Sequence, residues 1–250
     1  IHKTALKVRE QTIKAAANML EASPEDIELE DGHAVVAGTD RKVSLAAVAT
    51  ATNPLRYAFN SAAQAATQFA PASKHDGPPL LDGEHPGLEA TDYYSPACAT
   101  WAYGCHAAIV EVDEATCQVK IRKYVCVHDC GNMINPTIVE GQVMGGFAQG
   151  IAGALFEHIE YDRDGNPTNA NFVDFLIPYA TEIPAVEIQH IETPSPLNPL
   201  GVKGVGEAGC IAVGSTIASA LEDAFDGNPR AKFRQTPITP SMIHAAMAEA

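Results

Sequence analysis

QVKIRKYVCVHDCGNMINPTIVEGQVMGGFAQGIAGALFE, residues 118–157, changes its period half-way along. Its first part, QVKIRKYVCVHD, alternates in the way of a strand with one covered face. At Asn135-Pro136 the alternation stops and a helix opens, with Pro at a first-turn position. That helix is expected to run to about Glu157. A long strand feeding directly into a long helix predicts an α+β fold. GCHAAIVEVD, just upstream, alternates too, and Asp113–Cys117 joins the two runs into a hairpin.

The helix beginning at Pro136 is rich in glycine. Gly141 and Gly145 are four apart, as are Gly146 and Gly150. Each mid-helix glycine costs up to about 1 kcal/mol relative to Ala, so the small residues need a reason. One reason is close approach by another backbone, and the residues alone favour it. The other is a ligand-binding face. Gln142 and Gln149 are seven apart and share a face, where two amides offer donor and acceptor pairs to a planar polar ligand.

Downstream, GVKGVGEAG (201–209) sets Gly201, Gly204, Gly206 and Gly209 around one lysine and one carboxylate. Glycine costs backbone entropy wherever the chain is fixed. The stretch therefore predicts tight turns, or a partner that comes close to the backbone. Glu207 has three readings: a solvated loop carboxylate, an ion-pair partner of Lys203, or a catalytic base. Amides of the loop and of the following helix start would also suit an anion. No standard nucleotide loop, Ser-His-Asp constellation or H-E-x-x-H occurs.

Elsewhere the elements read plainly. Residues 3–22 form an amphipathic helix, with Leu6, Val8, Ile13, Ala16, Met19 and Leu20 near helical spacing. IELEDGHAVVAG (27–38) is a hairpin turning at Asp31-Gly32. VSLAAVATA (43–51) is a short helix capped by Ser44. EHIEYDRDGNPTN (157–169) resembles a hairpin, AVEIQHIET (185–193) is a strand, and CIAVGSTIASALEDAF (210–225) is a buried helix. ITPSMIHAAMAEA (238–250) is a helix capped near Ser241. Residues 61–97, rich in Pro, Gly and Ala, are too long for an ordinary loop. They either wrap a partner or another domain, or lack order. The expected organisation is a helix-plus-hairpin region at 1–60, this wrap at 61–97, and a C-terminal domain at 98–250.

Composition narrows the function. Asp and Glu total 31 against 16 Lys and Arg, a formal charge of −15. That balance disfavours nucleic acid and anionic membrane surfaces as partners. No apolar run reaches the ~18 residues of a membrane span, and no basic-then-apolar leader is read. The Cys residues at 98, 105, 117, 126, 130 and 210 include no C-x-x-C pair, which suggests reduced, cytoplasmic thiols. Cys126, His128 and Cys130 would share a strand face, but not at structural-zinc spacing. A core role is the plainer reading, and no metal-ligating side chain is assigned. The opening IHKTALKVRE reads as the middle of a helix, as of a piece of a longer protein.

Taken together, four stretches resemble one family. They are ALKVREQTIKAAANMLEASPEDIELEDG (5–32), YGCHAAIVEVDEATCQVKIRKY (103–124), VHDCGNMINPTIVEGQVMGGFAQGIAGALFE (127–157) and ETPSPLNPLGVKGVGEAG (192–209). They occur in the order seen in the molybdenum hydroxylases, that is, the large subunits of xanthine dehydrogenase, aldehyde oxidase and aerobic carbon monoxide dehydrogenase. The resemblance implies the α+β fold of a molybdopterin-binding domain, with hairpins interleaved among packed helices. It implies the C-terminal portion of a longer molybdenum subunit that oxidises a C–H bond of an aldehyde or N-heterocycle with water-derived oxygen.

By the same resemblance Glu207 matches the catalytic base. The cofactor, molybdopterin carrying molybdenum, is expected in its cytosine dinucleotide form. It would meet Gln142, Gly145, Gln149, Lys203, Gly204, Gly206, Gly209 and Ser215. The pterin itself holds the metal. Implied partners are the N-terminal half of the molybdenum subunit, iron–sulfur and flavin (FAD) domains or subunits, and a small-molecule substrate. Two departures stand out. Met144 occupies a place where the family often has His. Ala208-Gly209-Cys210 replaces the Ser-Pro-His of carbon monoxide oxidisers, which implies an organic substrate. A second reading makes the chain a catalytically incomplete fragment or split subunit that binds cofactor or partner.

Overall fold

A computed structural model describes residues 1–53, 87–225 and 232–248. The chain divides into two compact units, Ile1–Ser95 and Pro96–Ala250. Most of the expected 61–97 wrap lies outside the described residues, and its described end, 87–97, has no helix or strand.

The first unit opens with α1 (His2–Leu20), stopped by Glu21 in a left-handed conformation. The Ala22 amide reaches back to the Ala17 carbonyl at 3.0 Å, which satisfies one of the helix's last acceptors. A single turn at Pro24–Asp26 leads into β1 (Ile27–Glu30) and β2 (His33–Val36). Asp31 and Gly32 both take positive φ, 44° and 76°. That pair makes the tight turn whose twist suits a hairpin. A short third strand, β3 (Lys42–Ser44), extends the antiparallel sheet. It is too short and too polar to announce itself by alternation. Ser44 then caps α2 (Leu45–Thr52), its Oγ accepting from the Ala47 amide at 3.1 Å. The core joins Ala16 and Ala17 of α1 to Ile27, Ala34, Val36 and Val48. The expected apolar stripe on α1 is only partly used, because Leu6 and Met19 are exposed. Small side chains bring this helix close to its sheet.

In the second unit, β4 (Tyr103–Val112) and β5 (Val119–Asp129) form the expected long antiparallel pair. Asp113 shapes the connection by accepting from the Ala115 and Thr116 amides, both at 2.9 Å. β6 (Val186–His190) runs parallel to β5 on its other side. The chain between β5 and β6 contains α3 (Pro136–Leu155), with Asn135 capping it and Pro136 first in the helix. α4 (Val213–Ala224) and α5 (Pro240–Ala248) complete the set. Tyr124 of β5 packs with Phe147 and Ile151 of α3, Val213, Ile217 and Leu221 of α4, and Ile243 of α5. Fully burying one such side chain contributes roughly 1.5–3 kcal/mol.

Three details differ from the expectations. α4 begins at Val213, because Cys210–Ala212 still belong to a turn. α5 is capped by Thr239 rather than near Ser241: the Thr239 carbonyl and hydroxyl both face the Met242 amide, at 3.0 and 3.4 Å. Residues 157–169 form a turn at Asp162–Asn166 with one isolated bridge, Tyr161 to Pro167, and no strand pair. Pro167 has no N–H to extend a ladder.

The glycines of α3 serve two ends. A Cβ on Gly150 would meet Val213 side-chain atoms at 2.5 and 2.6 Å, and one on Gly146 would meet Cys210 N and Gly209 Cα at 3.1 and 3.2 Å. These two are buried for close packing. Gly141 and Gly145 are exposed, with nothing within 4 Å of such a Cβ. Gly150→Ala is therefore expected to destabilise the protein by about 1–3 kcal/mol through overpacking. Gly145→Ala is expected to stabilise it by up to about 1 kcal/mol through helix propensity. Urea midpoints of the two variants check the contrast.

Candidate functional site

The glycine stretch 201–209 is held by backbone contacts. Gly131, just past β5, takes φ +66°, and a Cβ there would collide with the Gly201 carbonyl. That carbonyl accepts from the Asn132 and Ser195 amides, both at 3.1 Å. The Lys203 amide donates to the Cys130 carbonyl at 2.8 Å. At the other end, Gly209 lies against the α3 backbone so closely that any Cβ would collide with the Val143 carbonyl. Only glycine leaves room for that approach.

Lys203 does not pair with Glu207. Its Nζ donates to Asp129 Oδ2 at 2.9 Å and to Thr193 Oγ1 at 2.7 Å, and it lies 5.3 Å from the Tyr103 ring centroid. Asp129 is fully buried and also accepts from the Gly131 amide at 2.7 Å, the Thr193 amide at 3.3 Å and the Thr193 hydroxyl. Burial alone would push its carboxyl up. The Thr193, Gly131 and Lys203 donors outweigh burial and hold it well below the usual carboxylate range. One carboxylate thus ties together the end of β5, the segment after β6 and the glycine stretch.

Beyond Lys203, Gly204, Gly206 and Glu207 are exposed. The Glu207 carbonyl accepts from the Cys210 and Ile211 amides at 3.0 and 3.1 Å, which turns the chain toward α4. Gln142 Oε1 lies 4.0 Å from where a Gly206 Cβ would stand. The exposed face of α3 that carries Gln142, Gly145 and Gln149 therefore meets the loop that carries Glu207. Gly209 is packing rather than open surface. Ser215 is exposed on the first turn of α4, and its hydroxyl donates to the Ala212 carbonyl at 3.0 Å.

Three residues of this region escaped the sequence reading. Asp129 sits inside CVHDC, whose two thiols and imidazole are the more conspicuous groups. An acid at the covered end of an apolar strand was the available signal. Thr193 carried none. His106 lies in the half-buried register of β4 with Ala108 and Val110, a polar residue where alternation calls for an apolar one. Its ring reaches the Ala208 carbonyl at 3.1 Å and the Tyr124 hydroxyl at 2.9 Å. Of the soft side chains, Cys126 and His128 point inward on β5, and Cys130 is buried just past its end. Burial pushes both thiols up and His128 down. His128 Nε2 lies 2.8 Å from His190 Nδ1, so one of these two nitrogens donates to the other. Among the described residues no helix is long and apolar enough to cross a membrane.

With this geometry in place, the sequence profile of the molybdopterin cofactor-binding domain matches residues 1–184. The chain belongs to that family. It is 39% identical over 244 residues to the nicotine 6-hydroxylase large subunit of Paenarthrobacter nicotinovorans, covering 97% of this chain and 27% of that protein. It is 35% identical over 221 residues to the carbon monoxide dehydrogenase large chain of Hydrogenophaga pseudoflava, covering 88% of this chain and 25% of that one. Among solved structures, quinoline 2-oxidoreductase from Pseudomonas putida 86 superposes with a TM-score of 0.74 at 37% identity, over 97% of this chain and 28% of its own. The Cu,Mo-CO dehydrogenase gives 0.77 at 31%, over 98% and 28%. The molybdopterin-domain chain thus spans about a quarter of the length of each relative. Its α+β architecture is theirs.

The Asp129–Lys203 tie has a pH signature. Because the folded-state carboxyl is depressed, its stabilisation is fully present above the ordinary Asp value of about 3.9 and is lost as pH falls through the folded value. Asp129→Ala leaves Lys203, whose side chain is only 11% exposed, without its charge partner. It is expected to cost about 3–5 kcal/mol in urea unfolding at pH 7, with a smaller cost as the pH is lowered below 4.

Proposed function

We propose that this chain forms one wall of a molybdopterin site in the large subunit of a molybdenum hydroxylase, with Glu207 as the base. The observation that carries this reading is the exposed half of α3. Gly141 and Gly145 incur the helix penalty, yet a side chain there would meet nothing within 4 Å. Packing among the described residues gives no reason for them. A flat cofactor laid along this face does, and Gln142 and Gln149 border the bare strip with amide donors and acceptors. Gln142 on this face comes near Gly206, the residue before Glu207, which supports pairing the strip with that carboxylate.

When bound, the pterin-held molybdenum supplies the two-electron redox capacity and a water-derived oxygen. The chain's own residues supply position and proton transfer. Gln142 and Gln149 orient the pterin edge, and Gly145 leaves room for it. Gly204 and Gly206 let the loop backbone approach the reacting centre. Glu207 would accept a proton at a carboxylate oxygen, as the general base beside that group. Lys203 acts from behind, as an anchor held by Asp129. Gly209 keeps the loop seated on α3, and Ser215 offers a hydroxyl oxygen at the helix start that follows.

The substrate class that suits this chemistry is an aldehyde or an N-heterocycle. The names of the nicotine and quinoline enzymes favour the heterocycle. Ala208-Gly209-Cys210 after the base supports an organic substrate. We place the cytosine dinucleotide form of the cofactor here, with iron–sulfur clusters and FAD on other domains or subunits. The remainder of the molybdenum subunit is the main partner, and the cytoplasm the compartment.

Two variants of the complete enzyme test the reading. Glu207→Gln is expected to lower kcat by at least about 10²-fold while molybdenum content holds, measured by steady-state turnover and metal analysis. Gly145→Ala is expected to lower pterin and molybdenum content even though it stabilises the fold. Undiminished turnover in Glu207→Gln removes the base assignment. Full cofactor loading in Gly145→Ala removes the cofactor strip.

A further inference from the structure

Glu207 stands on a short span whose backbone is gripped from the sheet at a single point. Among the described residues, His106 is the one side chain that hydrogen-bonds the backbone of residues 204–209, at the Ala208 carbonyl, 3.1 Å from Nε2. A carbonyl can only accept, so Nε2 carries the proton. A neutral ring then leaves Nδ1 as the acceptor, and the Tyr124 hydroxyl donates to it across 2.9 Å. Burial pushes the His106 pKa down, partly offset by the Ala208 bond, and this favours the neutral ring. Cys126 Sγ, 3.2 Å from the same Nε2, flanks the bond.

The support behind this ring is buried core. Tyr124 is fully buried, with its ring centroid 4.5 Å from that of Phe147 on α3. His106 and Cys126 are directly paired on β4 and β5. The chain of contacts therefore runs from the helix–sheet core, through a fixed tautomer, to the peptide carbonyl of the residue after Glu207.

We propose that His106 is a positioning residue for Glu207: its Nε2–H holds the Ala208 carbonyl and so sets the direction in which the Glu207 side chain leaves the loop. This rests on the reading of Glu207 as the base. The hold on the loop itself is measurable without turnover. Leucine at 106 removes the donor while keeping bulk. Glutamine keeps an amide N–H near the position of Nε2. Tyr124→Phe keeps the ring packing and removes the hydroxyl, which faces Thr216 as well as His106 Nδ1.

The experiment uses the complete subunit complex that contains this chain, with hydrogen exchange followed by mass spectrometry and with steady-state kinetics in parallel. One net hydrogen bond corresponds to roughly three- to tenfold in a local opening equilibrium. His106→Leu is expected to speed exchange of peptides spanning 205–211 by about that factor, with α3 and β5 unchanged. It is expected to lower kcat about tenfold with KM within about twofold. His106→Gln is expected to restore both, and Tyr124→Phe to loosen the same peptides to a smaller extent. Unchanged exchange of 205–211 in His106→Leu, or no rescue by glutamine, overturns the proposal. Should His106→Leu fail to fold, Tyr124→Phe decides: unchanged exchange overturns the proposal and selective loosening of 205–211 supports it. Activity retained by Glu207→Gln would remove the base assignment alone, because the exchange result judges the His106 hold independently.

Discussion

Asp129 is the buried charge on which the site region depends. It is fully covered, and the donors around it come from three pieces of chain: Gly131 after β5, Thr193 after β6 through both amide and hydroxyl, and Lys203 in the glycine stretch. An ionised carboxylate in such a place is tolerated only when its lone pairs are filled. The requirement works in both directions. The carboxylate needs three segments to converge, and the convergence gives the glycine stretch a fixed origin. From that origin the loop runs through exposed Gly204 and Gly206 to Glu207, then is caught again by His106 at Ala208 and by α3 at Gly209.

The glycines divide by surroundings rather than by sequence neighbourhood. Gly150, Gly201 and Gly209 face protein atoms closer than a Cβ can stand, and Gly146 faces backbone at 3.1 Å from where one would be. Gly141 and Gly145, on the same helix as the first two, face open space. One helix thus has a face that brings backbone against backbone and a face kept bare. The first closes the domain core. The second is the surface that the cofactor reading occupies, and Gln142 links it to the Glu207 loop.

Much of this was legible beforehand. Alternation through QVKIRKYVCVHD and the Asn135-Pro136 signal predicted β5 and the start of α3, because both patterns report local geometry. Asp31-Gly32 and Ser44 were equally plain, since a turn and a cap depend on nearest neighbours. The misses have physical causes as well. β3 has only three residues and no room for a period. The cap of α5 shifted to Thr239 because Pro240 can stand first in a helix. Lys203 was open to pairing with Glu207 by proximity in sequence, and its true partner lies 74 residues away.

By itself, the sequence determined the periods, turns and caps that make the elements, and the glycine-rich stretches that mark where something must come close. These follow from backbone sterics and side-chain spacing, which act within a few residues. Only the tertiary structure decided which glycines pack and which stay bare, that Asp129 rather than Glu207 neutralises Lys203, and that His106 reaches the carbonyl beside Glu207. Those outcomes depend on burial and on hydrogen bonds between segments far apart in the chain. Local pattern carries no information about either.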